Sequence, residues 1–119
     1  MGTGRGFWRT GGCGAGALAL AYQDMGGTSH WFGKPFANAY DYCRSELTGL
    51  DFSRSLMIGD TIRTDIRGAT DAGISSVLVA SGVHAGDFVK DGTVDTDAVS
   101  AACAEAGVTP RAVMAMLDW

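Results

Sequence analysis

Three side chains in this 119-residue chain combine a reactive type with a telling spacing: Lys34, Asp60 and Asp65. In LMIGDTIRTDIRGATDAGI (residues 56–74) an apolar run delivers Gly59 and Asp60, and Asp65 follows five residues later. An apolar strand ending in Gly-Asp places a carboxylate at a sheet's rim, and Gly59 permits a tight backbone turn beside a ligand. Hard cations such as Mg2+ take carboxylate and water oxygens, usually from only one or two protein carboxylates plus a substrate phosphate, which makes Asp60 a candidate metal ligand. Upstream, Gly33-Lys34-Pro35 stands at a strand-to-helix junction, where an ammonium on a flexible stem can reach a phosphate as a point charge. Asp65 could hold Lys34 through a charge-assisted hydrogen bond. The bland alternative for the two acids is a pair of surface or helix-capping residues, and for Lys34 a solvated loop lysine; the coexistence of both motifs favours the functional reading.

The elements that must position these groups follow from pattern. Residues 1–12 mix glycine, arginine, Phe7 and Trp8 with no period and read as a leader outside the fold. From Ala15 helix formers run to Gly26 and Gly27, where a left-handed cap is expected. Thr28 to Phe32 is rich in β-formers and predicts a short strand. Phe36, Ala39, Tyr40, Cys43 and Leu47 recur at helical spacing and predict a helix, ended by Gly49, whose apolar face packs on a sheet. Ser55 to Ile58 reads as a strand, and Thr64 as the cap of a helix running to Gly73. ISSVLVA, residues 74–80, has the composition of a parallel strand covered on both faces. A helix is expected over Asp97 to Ala106, and a last helical turn after Pro110. The alternation predicts an α/β sandwich with a parallel, Rossmann-like sheet, whose functional groups gather at the carboxyl ends of the strands.

Composition bounds the partners. The chain is 46% hydrophobic and 18% charged, ordinary for a folded domain, and its net charge of −4 builds no basic stripe for nucleic acid. Cys13, Cys43 and Cys103 are odd in number and far apart, so neither a disulfide framework nor a zinc site is suggested, and a reducing cytoplasm fits. The longest apolar runs fall well short of the about 20 residues that span a bilayer, so no membrane partner is expected. His30 and His84 have no second ligand at metal spacing and read as structural or surface residues, with His84 left open as a rim residue. Arg63 and Arg67 could steer anions or simply form a solvated helix face.

GKP, followed by GDTIRTDI and then ATDAGISSVLVASGV, resembles the third and fourth motifs of haloacid dehalogenase-like phosphatases, subfamily IIA. The resemblance implies a phosphomonoester hydrolase working through an aspartyl-phosphate with Mg2+ as cofactor and a phosphorylated small molecule as substrate. It implies that Asp60 binds the metal, that Gly33, Lys34 and Pro35 bind phosphate with Lys34 and Asp65 in the catalytic set, and that Gly59 and Thr64 shape the loops. It also divides the chain: residues 13–32 as the end of a cap domain, residues 33–119 as the C-terminal half of the core.

The family's nucleophile lies in a DxD motif after the first core strand, and its phosphate-binding Ser or Thr follows the next strand; neither has a counterpart here. Asp95-Thr96-Asp97 has the letters but no apolar strand before it, and reads as a helix start. The resemblance therefore implies that the chain alone is inactive, and that an open, apolar sheet edge beside Asp60's strand invites self-association. The alternative is a non-catalytic fragment that binds a phosphate-bearing ligand or a partner.

Overall fold

The computed structural model describes residues 14–118, which divide into two compact units between Trp31 and Phe32. In the first unit, α1 (Ala15–Asp24) ends where the glycines stand. Gly26 takes φ 89°, and the Gly27 N–H reaches back 2.9 Å to the Tyr22 carbonyl, a closure that only a left-handed residue allows without strain. The Ser29 hydroxyl donates to the Ala19 carbonyl at 3.2 Å. The strand expected over Thr28 to Phe32 does not form; β-formers make a strand only where a neighbour supplies the ladder, and none of the described strands pairs with this segment. The leader, Cys13 and Trp119 fall outside the described residues.

The second unit begins with α2 (Ala37–Glu46) and a 3-10 turn (Phe52–Arg54), which lead to β1 (Leu56–Gly59). A π-helical turn (Ile62–Ile66) runs into α3 (Arg67–Ala72), and β2 (Ser75–Val79) follows. Beyond it come α4 (Ala85–Phe88), a hairpin of β3 (Val89–Lys90) and β4 (Thr93–Val94), α5 (Thr96–Ala106) and β5 (Ala112–Met114). The main sheet has the order β1-β2-β5 and is parallel throughout, with Ile58 beside Val77 and Val77 beside Ala112. This is the α/β parallel-sheet architecture that the alternating pattern predicts.

Side chains on a strand alternate between faces, and here only one face is well covered. Ser76, Leu78 and Ala80 are buried; Leu78 joins Ile62, Ile66, Phe88, Val99, Cys103 and Val108 in the core. On the other face Leu56 and Ile58 remain 51% and 45% exposed, and Val77 and Val79 half-buried. The expectation that residues 74–80 are covered on both faces is thus corrected: the π-turn and α5 bury one side only.

Three further expectations are corrected. Helix α2 buries only Tyr40 and leaves Cys43 and Leu47 exposed, because it rests on α3 at Gly68 and on Phe52. After Pro110 the chain forms β5, not a helical turn, since pairing with β2 offers its backbone a ladder. Thr64 lies inside the π-turn; the residue before that turn is Thr61, in extended conformation.

Candidate active site at the ends of the parallel strands

The turn that carries Lys34 is set by its glycine. Gly33 has φ 92°, a region that side chains rarely adopt, and its carbonyl accepts the Phe36 N–H at 2.9 Å. The Lys34–Pro35 peptide bond is cis. The Gly33 N–H donates to Asn38 Oδ1 at 3.2 Å, which ties the turn to the first turn of α2. Lys34, with a side chain half-exposed to solvent, reaches from this turn to Asp65, its Nζ 2.5 Å from Oδ1.

Asp65 is buried, and both of its oxygens are engaged. Oδ2 accepts the N–H groups of Asp60 and Thr61, each at 3.2 Å. These amides lie at the mouth of the π-turn, where the first N–H groups have no partner within the helical turn. The Thr61 carbonyl in turn accepts the N–H groups of Asp65 and Ile66, at 2.9 and 3.2 Å. One carboxylate therefore closes the loop after β1 and holds the Lys34 ammonium. Gly59 makes room for it: a Cβ there would stand 2.5 Å from Asp65 Cγ. Its φ is not positive, so the glycine serves the close approach of a carboxylate and not the tight turn that the sequence suggests.

Asp60, at the carboxyl end of β1, faces a different neighbour. Its Oδ2 accepts the Val83 N–H at 2.8 Å and its Oδ1 the Thr61 hydroxyl at 3.2 Å. Gly82 permits the contact, since a Cβ there would lie 2.6 Å from Asp60 Cγ. The Val83 N–H, more than any other group, draws the Asp60 carboxyl below the usual carboxylate range, and the Thr61 hydroxyl helps against partial burial. The carboxylate stays ionised, with hard oxygens in the state a divalent cation requires. Among the described residues no group of three or more His, Cys, Asp or Glu side chains converges in a way that could hold a metal ion.

The Lys34 ammonium and the Asp60 backbone thus meet at the Asp65 carboxylate, the Asp60 carboxylate turns to the Gly82-Val83 loop, and other candidates do not join them. Arg67 is committed to the Ala106 carbonyl at the end of α5 and to Asp71, 3.4 Å away. His84 pairs with Asp87 at 3.5 Å and is a minor electrostatic neighbour of Asp60. His30 belongs to the first unit. Asp95 is the N-cap of α5 and accepts the Ala98 N–H at 3.0 Å, so the DTD letters mark a helix start. Phe32, next to the Gly33 turn, is 81% exposed. Gly82 and Val83 close the ATDAGISSVLVASGV stretch without standing out as site residues, though their place after the second parallel strand puts them at the same rim as Asp60. No described helix is long and apolar enough to cross a membrane.

The HAD-hydrolase-like family model matches residues 31–106. A haloacid dehalogenase-like hydrolase from Brucella suis 1330 is 31% identical, with a TM-score of 0.61 over 87% of this chain. A p-nitrophenyl phosphatase from Archaeoglobus fulgidus shares the fold at 24% identity, with a TM-score of 0.64 over 87% of the chain. A double mutant of the thermostable NPPase from Geobacillus stearothermophilus is 25% identical, with a TM-score of 0.59 over 89%. The chain spans 36% of the length of each of these three structures. No curated protein matches it. The match across the Lys34 turn, the Asp60 loop and the strand that follows shows that the chain belongs to the HAD-hydrolase-like family.

Proposed function

We propose that this chain supplies the metal- and phosphate-binding half of a phosphomonoester hydrolase site, with Asp60 as a ligand to Mg2+, Lys34 as the phosphate contact and Asp65 orienting Lys34. The observation that carries the reading is the Asp65 carboxylate, which holds the Lys34 ammonium through one oxygen and the Asp60 loop through the other. Gly33 and Pro35 frame the phosphate-facing turn, and Gly59 and Thr64 belong to the loop and π-turn around the two acids. Asp60 fits the ion as an ionised oxygen donor of the kind that binds Mg2+ singly among waters and phosphate oxygens. Bound there, the ion would neutralise charge on a phosphoryl group.

Lys34 lowers the charge of the same phosphate from the other side, and Asp65 keeps it extended when no substrate is present. In this reading the attacking carboxylate of an aspartyl-phosphate route and its acid–base partner belong to the DxD motif that has no counterpart in residues 1–119. The chain alone is then inactive, and its substrate is a phosphorylated small molecule selected mainly by a cap to which residues 13–32 belong. A cytoplasmic setting suits free Cys43 and Cys103. Self-association through β1, an edge strand with exposed Leu56 and Ile58, accompanies this reading.

The test is complementation: the chain is mixed with the N-terminal half of a family member that carries the DxD aspartates, and p-nitrophenyl phosphate hydrolysis is followed with and without Mg2+. Magnesium-dependent turnover that Lys34→Ala and Asp60→Asn abolish is expected. A folded mixture with no turnover refutes the split-site reading. If the same mixture still binds inorganic phosphate, the non-catalytic alternative takes its place.

A further inference from the structure

Tyr40 has no part in the proposed chemistry, yet its environment is unusual. It is the buried residue of α2, 6% exposed, and its hydroxyl has no hydrogen-bond partner among the described residues. Phenylalanine would fill nearly the same space without burying an unsatisfied hydroxyl, so the oxygen's use must lie in what it touches. It touches Gly68: a Cβ added there would overlap the hydroxyl oxygen before anything else, and would stand 3.0 Å from Pro35 Cα and 3.1 Å from Tyr40 Cε2.

Three elements meet at this point. Tyr40 brings α2, Pro35 brings the turn that presents Lys34, and Gly68 brings α3, one turn beyond Asp65. A rigid ring touching Gly68 transmits position through that contact, at the wall of a cavity of about 360 Å³ that Pro35, Tyr40 and Gly68 also line. Burial, and after it the charge of Asp65, pushes the phenol pKa up, so the hydroxyl stays neutral in this wedge. We propose that Tyr40 is a positioning residue whose hydroxyl, seated on Gly68, sets how closely the Lys34–Pro35 turn approaches α3 and thereby holds Lys34 on Asp65. Its meaning for phosphate binding rests on the function proposed above; the spacing itself does not.

The two roles part at Tyr40→Phe: a ring that only fills space would leave Lys34 unmoved when its unsatisfied hydroxyl is removed, whereas Gly68→Ala crowds the hydroxyl in either case. The full chain contains only two lysines, Lys34 and Lys90, so 15N-lysine labelling gives two ammonium signals, with the Lys90–Asp95 ion pair as internal reference. An ammonium held by a carboxylate exchanges slowly with water.

Gly68→Ala is expected to speed Lys34 exchange about tenfold, as loss of one charge-assisted hydrogen bond implies, with Lys90 unchanged. Tyr40→Phe, which removes the spacer, should also speed it. The double variant Tyr40→Phe/Gly68→Ala removes the overlap with the hydroxyl while the methyl stays 3.0 Å from Pro35 Cα as a substitute spacer, and should return Lys34 toward wild type. Unchanged Lys34 exchange in both single variants overturns the inference and leaves the proposed function intact. Should Gly68→Ala fail to fold, the double variant decides: folded with Lys34 protected supports the inference, while unfolded or unprotected overturns it. An unprotected Lys34 in the wild-type chain overturns both this inference and the place of Lys34 in the proposed site.

Discussion

Replacing Asp65 by Asn strikes the centre of the site while keeping the side chain's shape. The native carboxylate accepts Lys34 Nζ at 2.5 Å and the Asp60 and Thr61 N–H groups at 3.2 Å each. Asparagine has one acceptor oxygen and one donor group, so it cannot serve both sides. Lys34 is half-exposed and can turn to water, whereas the two backbone amides are part-buried and lean on Asp65 Oδ2. The asparagine oxygen should therefore stay under the amides and its NH2 should face Lys34. What is lost is one charge-assisted bond to a lysine that rehydrates, at the low end of a range of about 1.5–3 kcal/mol. Asp65→Ala removes all three bonds and strands two donors, each worth about 1–3 kcal/mol, for a loss of about 3–7 kcal/mol. For a domain of about 5–15 kcal/mol stability, Asn should leave a folded protein and Ala should threaten the fold. Urea unfolding of both variants at pH 7, with m-values compared, measures the difference. Equal losses in the two variants, or an Asn variant within about 0.5 kcal/mol of wild type, would refute the reasoning.

Gly82→Ala puts a Cβ 2.6 Å from Asp60 Cγ and should displace the carboxylate from the Val83 N–H, lowering stability by about 1–2 kcal/mol and weakening Mg2+ binding by calorimetry; a wild-type profile would contradict the clamp. Leu78, fully buried under the π-turn and α5, should lose about 2–5 kcal/mol on change to Ala, and a loss under about 1 kcal/mol would mean the core lies elsewhere. The depressed folded pKa of Asp60 makes the unfolded chain bind its proton first, so the stability Asp60 adds is present above the unfolded value of about 3.9 and is lost as pH falls through the folded one. Asp60→Asn should flatten the acid limb of a pH-stability curve, and an unchanged limb would assign that slope to other carboxylates.

Much of the frame was legible because it is local. Residues 56–74 read as strand, loop and helix, and residues 75–79 as a parallel strand, since an uninterrupted apolar run and a glycine stop act within a few residues of each other. The helix at 96–106 was recognised through its N-terminal acids. The hairpin was missed, although Asp91 and Gly92 both have positive φ and form its two-residue loop, a dipeptide that favours such turns. Its strands are two residues each, too short for alternation to show.

Sequence alone determined which residues could act: a carboxylate at the end of an apolar run, a second five positions on, and a lysine between glycine and proline. Residue type and near-neighbour spacing carry that information. Tertiary structure decided how they are used. Only folding brings Val83 to Asp60 across 23 positions and Lys34 to Asp65 across 31. Folding likewise reserves Gly59 and Gly82 for the approach of a carboxylate and leaves one face of β1 open. Each depends on groups that meet across the sheet's rim, and no periodicity along the chain records such meetings.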